Sequence, residues 1–247
     1  MHNPTLRVTE VLNLLCKNNV PMRLSDIGRE LNIPKSTLLP ILQTLVKCGY
    51  IGKDASERYF PGFALFALGK AAGAAYGPSD FIQENLRKMV EQFQETCYYG
   101  ILENGNVLYL EKIDSPQPLR MLTAIGRRLP AYATGLGKAL LLDQTKEQLE
   151  QLYSEGMPPL TVKTITDPEK LYRQLQQARV LGYTWETEES TEHIRCFAVP
   201  VRKAGVIMGA VSIAIPLFRY REETCHAIIQ ALKETAVSIE NGMQLLM

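Results

Sequence analysis

Residues 32 to 51 read NIPKSTLLPILQTLVKCGYI, and the fold turns on how this stretch is read. Leu38, Ile41, Leu42 and Leu45 recur at the spacing of an amphipathic helix, and Gly49 after Cys48 supplies a C-terminal stop. Pro40 interrupts that pattern, six residues after Pro34. Each residue advances about 100° around a helix, so Pro40 lies some 200° from Leu38 and faces away from the core. If the helix starts at Pro34, Pro40 removes a hydrogen bond to Ser36 and bends the helix, at a cost of about 3 kcal/mol. If Ser36 or Thr37 caps a shorter helix, Pro40 falls in the first turn, where its missing N–H costs little. The expectation is a bent or frayed start.

Upstream, TLRVTEVLNLLCKN carries Val8, Val11, Leu12 and Leu15 on one helical face. Ser25 offers a cap to a short helix over DIGREL, and Asn32 can take the left-handed conformation that ends it. Cys16 and Cys48 fall on apolar helical faces and are expected in the core. Three short helices, the last two joined by a tight turn, form a helix-turn-helix candidate. YIGKDASERYF follows as two short strands around a polar turn from Asp54 to Glu57, a β-hairpin wing.

FALFALGKAAGAAYG, residues 63 to 77, is rich in Ala and Leu and nearly free of charge, so such a helix must bury much of its surface, for instance against a second copy of itself. Gly77-Pro78 then breaks the chain, and Ser79 or Asp80 can cap FIQENLRKMVEQFQE. The expected division is a winged helix-turn-helix over 1–62, a linker helix over 63–77 and a larger α+β domain over 78–247. In the last, YYGILENGNVLYLEKI is a hairpin about Asn104-Gly105, LRMLTAI is a strand and TGLGKALLL opens a helix. TKEQLEQLY and DPEKLYRQLQQARVLGY are amphipathic helices, CFAVPVRKAGVIMGAVSIAI is two strands, and a long helix closes the chain. Strands that are mostly antiparallel, with helices at the edges, suit a sensor domain.

The composition, 46% apolar and 21% charged over 247 residues, is that of a globular protein. Neither a signal-peptide pattern nor an apolar run of membrane-spanning length stands out, so the expected compartment is the cytoplasm, with no membrane partner. Five scattered cysteines without a CxxC pair argue against a disulfide framework or zinc cluster. The net charge of +1 divides unevenly: residues 1–60 hold eight Lys/Arg against five Asp/Glu, so +3, leaving −2 for the rest. TGLGKALLL is not a phosphate loop, because Tyr132 and Ala139 stand where that motif needs Gly and Ser or Thr. It is a glycine-bearing turn feeding a helix N-terminus, suited to an anion through Leu136 and Gly137, or else to tight packing.

The winged helix, linker helix and α+β domain in this order, with IPKSTLLPILQTLVKCGYI, TGLGKALLL and HIRCFAVPVRKAGVIMGAVSIAIP at their spacing, resemble the IclR family of bacterial transcriptional regulators. The resemblance covers nearly the whole chain. It implies a homodimer, often a dimer of dimers, binding double-stranded operator DNA, with a GAF-like C-terminal domain that senses a small metabolite. It implies no cofactor, no metal and no enzymatic activity. Members of that family commonly carry His-Arg where this chain has Leu39-Pro40.

The outward positions of the third helix are Lys35, Ser36, Thr37, Leu39, Pro40, Gln43, Thr44 and Lys47. Gln43 suits adenine, Thr44 and Leu39 suit thymine methyls, and Lys35 and Lys47 suit phosphates, with Lys53 and Arg58 on the wing reaching the minor groove or its phosphates. For the effector, expected to be an organic or sugar acid, the resemblance points to Cys196 and Ser212. It adds Glu186 ahead of the cysteine, Met121 and Thr123 before the glycine turn, and Leu136 and Gly137 in it. Ala214 stands where some members carry a second serine, which makes the pocket floor less polar. Cys196 alone reads as a buried hydrophobe, a ligand-lining residue or, with His193 and Glu186 or Glu189, a hydrolase or metal group. Arg195 reads as an ion-pair partner of the acidic stretch or a carboxylate binder. Two rival functions remain: a small-acid enzyme built on the C-terminal domain, and a constitutive DNA-binding protein.

Overall fold

The computed structural model describes residues 3–18, 20–76, 79–118 and 123–245, which fall into two compact units dividing between Tyr76 and Gly77. The first unit runs α1 (Asn3–Lys17), β1 (Met22–Arg23), α2 (Leu24–Glu30), α3 (Lys35–Lys47), β2 (Ile51–Lys53), β3 (Arg58–Pro61) and α4 (Phe63–Tyr76). Its core gathers Val11 and Leu15 from α1, Ile27 from α2, Leu38, Leu42 and Leu45 from α3, and Ile51 and Tyr59 from the hairpin. β3 sits between β1 and β2, all antiparallel, so the winged hairpin gains a two-residue third strand too short to leave a periodic signal.

The α2–α3 turn follows from its residues. Asn32 adopts φ 51°, and the N–H groups of Asn32 and Ile33 donate to the carbonyls of Arg29 and Gly28, the paired bonds of a Schellman ending. α3 ends the same way, with Gly49 at φ 74° and the N–H groups of Gly49 and Tyr50 donating to Val46 and Leu45. Ser25 does not cap α2. The helix already begins at Leu24, and the Asp26 carboxylate reaches back to accept from the Arg23 N–H. Cys16 and Cys48 are exposed rather than core. Cys16 is one helical step, about 100°, beyond buried Leu15, and Cys48 is the cap residue past the end of the Leu38–Leu42–Leu45 stripe.

The second unit is a six-stranded antiparallel sheet in the order β6-β5-β4-β9-β8-β7. The strands are β4 (Thr96–Glu103), β5 (Asn106–Ile113), β6 (Arg128–Pro130), β7 (Thr184–Thr187), β8 (Ile194–Lys203) and β9 (Val206–Pro216). Asn104 and Gly105, at φ 49° and 76°, make the tight turn between β4 and β5 that matches strand twist. One face carries Cys97, Tyr99, Phe197, Val199, Val211 and Ile213 against α5 (Ser79–Phe93) and α9 (Cys225–Leu245). The other carries Tyr98, Tyr109, Ala198, Ala210 and Ala214 under α6 (Gly135–Leu140), α7 (Lys146–Leu152) and α8 (Pro168–Leu181).

LRMLTAI departs from the strand expected of it. Leu119 to Leu122 lie outside the described residues, while Thr123 to Ile125 are not strand, and the local edge strand is β6. β7 covers TWET, whose polar residues conceal a strand with Thr184 and Glu186 fully buried on one side. No helix among the described residues is long and apolar enough to cross a membrane.

Candidate functional site

In the first unit α3 is continuous from Lys35 to Lys47, with Pro34 as its cap and the N–H groups of Thr37 and Leu38 both donating to the Pro34 carbonyl. Pro40 is therefore the sixth helical residue, and a helix shortened to begin after Ser36 or Thr37 is excluded. Pro40 offers no N–H to the Ser36 carbonyl, on the side of the helix away from Leu38. Lys35, Ser36, Leu39, Pro40, Gln43, Thr44 and Lys47 are exposed, and Thr37 is half-buried. The Thr44 hydroxyl donates back to the Pro40 carbonyl at 2.9 Å. On the wing, Lys53 lies 5.9 Å from the Tyr59 ring centroid and is held by Glu57, whose carboxylate raises its pKa. The exposed Arg58 donates its backbone N–H to Asp54, whose carboxylate shapes the turn.

In the second unit, pairing register builds a polar floor. Cys196 lies opposite Glu186 on one side and Ala214 on the other, and in the next row Ser212 lies between Ala198 and Tyr98. Residues two apart share a face, so Glu186, Cys196, Ala214, Ser212 and Tyr98 line one surface. Tyr109 joins them edge-on to Tyr98, ring centroids 5.2 Å apart. The Tyr98 hydroxyl is buried with no well-formed hydrogen bond among the described residues, and Thr123 is the side chain placed to bond it. Met121 lies outside the described residues.

The start of α6 covers this floor. Thr134 caps the helix, its hydroxyl oxygen accepting from the Gly137 N–H at 2.9 Å. A Cβ on Gly137 would come within 2.3 Å of Ala131 backbone atoms, so that glycine is required for packing. Gly135 sits directly on Cys196, where a Cβ would be 3.0 Å from the cysteine Cβ. The first two N–H groups of α6, on Gly135 and Leu136, have no acceptor within the helix. Thr184 fastens the helix start to the sheet by donating to the Gly135 carbonyl at 2.7 Å.

Lys138, Glu186 and Glu189 place three buried ionisable groups in this interior. Lys138 Nζ meets Glu189 Oε1 at 2.5 Å, and Glu189 Oε2 accepts from the Ile165 N–H. Glu186 accepts from the Glu189 N–H at 2.7 Å and from Ser190 Oγ at 3.1 Å. Burial pushes the Lys138 ammonium down, opposed by the two carboxylates, and pushes the Glu186 carboxyl up, opposed by the hydrogen bonds it accepts and by Lys138. Burial and the Glu186 charge push the Cys196 thiol well above its ordinary value, so it is held as a thiol rather than the thiolate a nucleophile requires.

Two neighbours of Cys196 point elsewhere. His193 is exposed and lies 3.4 Å from Glu188, not against the cysteine. Arg195 forms no ion pair with the acidic stretch, because strand alternation puts it on the opposite face of the sheet. There its guanidinium is 4.4 Å from the Tyr220 ring centroid and 5.0 Å from that of Phe197. Sequence reasoning overlooked Lys138, Tyr98 and Tyr109, and weighed Glu189 only as a partner of Cys196 rather than of Lys138. Lys138 had a signal, as the lone charge in an otherwise apolar TGLGKALLL, but nothing local separates Glu189 from Glu188 beside it.

Comparison with known proteins covers both units. Residues 5–55 match the model of the IclR helix-turn-helix domain, and residues 80–241 match that of the bacterial transcriptional regulator IclR C-terminal domain. The HTH-type transcriptional regulator KdgR of Escherichia coli is 34% identical over 224 residues, spanning 89% of this chain and 85% of KdgR. The transcriptional repressor AllR of the same organism is 27% identical, spanning 95% and 88%. Among solved structures, an IclR homologue from Microbacterium hydrocarbonoxydans complexed with 4-hydroxybenzoate superposes with a TM-score of 0.86 at 26% identity, covering 98% of this chain and 99% of that one. Thermotoga maritima IclR superposes with a TM-score of 0.81 at 25% identity and the same coverage.

Proposed function

The chain belongs to the IclR family of bacterial transcriptional regulators, and from that premise we propose that its first unit reads operator DNA while its second senses a small hydroxy acid. The observation that carries the DNA reading is the outward face of α3. A helix held to the core by Leu38, Leu42 and Leu45 presents Lys35, Ser36, Leu39, Pro40, Gln43, Thr44 and Lys47 to solvent as one surface. Such a helix fits the major groove, with Gln43 on base edges, Lys35 and Lys47 on phosphates, Thr37 at the margin, and Lys53 and Arg58 following the backbone from the wing. Charge supports this reading, since the net excess of Lys and Arg lies in residues 1–60.

For the effector, the floor of Cys196, Ser212, Ala214 and Glu186 supports a ligand carrying both carboxylate and hydroxyl. The N–H groups at the start of α6 are suited to the carboxylate, and Glu186, Ser212 and the buried Tyr98 hydroxyl to the ligand's hydroxyls. Lys138 is already neutralised by Glu189, so the ligand's charge meets backbone dipoles rather than a free cation. The 4-hydroxybenzoate bound to the Microbacterium homologue is a hydroxy acid of this kind. The chain acts in the cytoplasm as a homodimer through α4, where Phe63, Phe66 and Leu68 are each more than half exposed, or as a pair of such dimers. Ligand binding alters operator affinity because the two states bind it unequally.

A thermal-shift panel of hydroxy, sugar and aromatic acids tests the sensor. A ligand at a hundredfold its Kd adds about 2.7 kcal/mol of stability, and Glu186→Ala should abolish the shift. A panel in which no acid raises the melting temperature contradicts the sensor reading.

A further inference from the structure

We infer that α3 reads thymine 5-methyl groups through an apolar strip of Leu39, Pro40 and the Thr44 methyl, with the Thr44 hydroxyl proton withheld from base recognition. This rests on the reading of α3 as the groove helix. A threonine on such a helix ordinarily has two ways to read a base, a hydroxyl that donates or accepts and a methyl that packs on thymine. Here the Thr44 hydroxyl is 2.9 Å from the Pro40 carbonyl, one turn back, and its only proton is spent there. That bond also fixes the χ1 rotamer, since a β-branched side chain in a helix has few alternatives.

The neighbours reinforce the choice. Pro40 has no N–H and no polar side-chain atom, and Leu39, 40% exposed, is a large hydrophobe left in solvent on a helix whose other leucines are buried or half-buried. The patch made by Leu39, Pro40 and Thr44 therefore offers no free side-chain hydrogen-bond donor. The only base-edge feature in the major groove that rewards an apolar surface is the C5-methyl of thymine. Gln43 and Lys47 flank the strip and remain free to make polar contacts.

Selection of binding sites from random duplex DNA by the full-length protein, followed by anisotropy titrations of the selected site, tests this. Replacing thymines of a half-site one at a time by deoxyuridine removes only the methyl. At one or more positions the wild type should bind about fourfold more weakly per methyl, the worth of one buried carbon. Thr44→Ser keeps the hydroxyl and its bond to Pro40 but lacks the methyl, and it should lose the discrimination between thymine and deoxyuridine at that position. Thr44→Val keeps a methyl and lacks the hydroxyl, and it should retain the discrimination. If deoxyuridine is tolerated throughout, or if Thr44→Val loses the preference that Thr44→Ser keeps, the methyl inference is overturned while α3 stands as the groove helix. If selection enriches no sequence, the reading of α3 itself fails and the methyl inference falls with it. Thr44 is exposed and outside the core, so circular dichroism should show all variants folded.

Discussion

Replacing Lys138 by methionine should cost the second unit about 3–5 kcal/mol. The lysine and Glu189 side chains are 1% and 8% exposed, with Nζ and Oε1 2.5 Å apart. At an effective dielectric of about 20 their attraction is about 7 kcal/mol, much of which repays the desolvation of both ions. Lys138→Met removes the attraction and keeps the Glu189 desolvation, because Oε2 remains fastened to the Ile165 N–H and the carboxylate cannot swing out to water. The loop from Thr161 to Ile165 depends on the same residue, since Thr164 Oγ1 donates to the Glu189 carbonyl at 2.6 Å. For a unit of this size the loss lowers the melting temperature by about 6–20 °C. The chain's single tryptophan, Trp185 on β7, lies in this unit, so its fluorescence during urea or thermal unfolding follows the affected region alone. Lys138→Met/Glu189→Gln, which leaves two neutral groups and an acceptor for Ile165, should be more stable than the single variant. A loss below about 1 kcal/mol for Lys138→Met, or a double variant no better than it, would refute the view that a desolvated charge holds this interior.

Gly137→Ala should destabilise the same unit by about 1–3 kcal/mol, because the added carbon meets Ala131 backbone rather than a side chain that can move; an unchanged unfolding midpoint would contradict that packing. Alkaline pH should also unfold it. Burial raises the pKa of Cys97, Cys196, Tyr98, Tyr109 and Tyr153, and that of Tyr99 to about 12, so above pH 9–10 the folded chain keeps protons that the unfolded chain releases. Stability is then fully present below about pH 9 and falls as pH rises, by about 1.4 kcal/mol per unit for each group whose unfolded counterpart has titrated. Lys138, with its pKa lowered, contributes in the opposite direction but is one group against six. The Trp185 midpoint in urea should therefore drop sharply between pH 8 and 10.5, and a flat profile would count against the burial of these groups. Pro40→Arg should tighten DNA binding and steepen the slope of log affinity on log salt by about 0.9; an unchanged slope would place residue 40 out of reach of phosphate.

Much of the architecture was legible from local rules. The Leu38–Leu42–Leu45 stripe, the left-handed Asn32, the Asn104-Gly105 turn and the Asp167-Pro168 start of α8 each act through neighbouring residues, and each stands where the spacing puts it. What stayed hidden depends on partners distant in sequence. β7 is a strand because Thr184 and Glu186 are buried against β8 and α6, and its polar composition conceals this. Arg195 was read as a partner of the acidic stretch or of a carboxylate, yet strand alternation sends it to the aromatic cluster at Tyr220 while Cys196 joins the polar floor. The Lys138–Glu189 pair spans 51 residues, and no pattern around either residue predicts the other. The cysteines misled because a thiol beside an apolar stripe looks buried until the angle is counted from the nearest buried leucine.

Selection of duplex DNA by the full-length protein, with Gln43→Ala run in parallel, bears most directly on the central claim that this chain is an operator-reading regulator. The expected result is a pseudo-palindromic site with two half-sites related by the dimer axis, bound with a steep inverse dependence on salt and weakened selectively at one base pair per half-site by Gln43→Ala. Binding that enriches no sequence, or a site to which Gln43→Ala is indifferent, would contradict it.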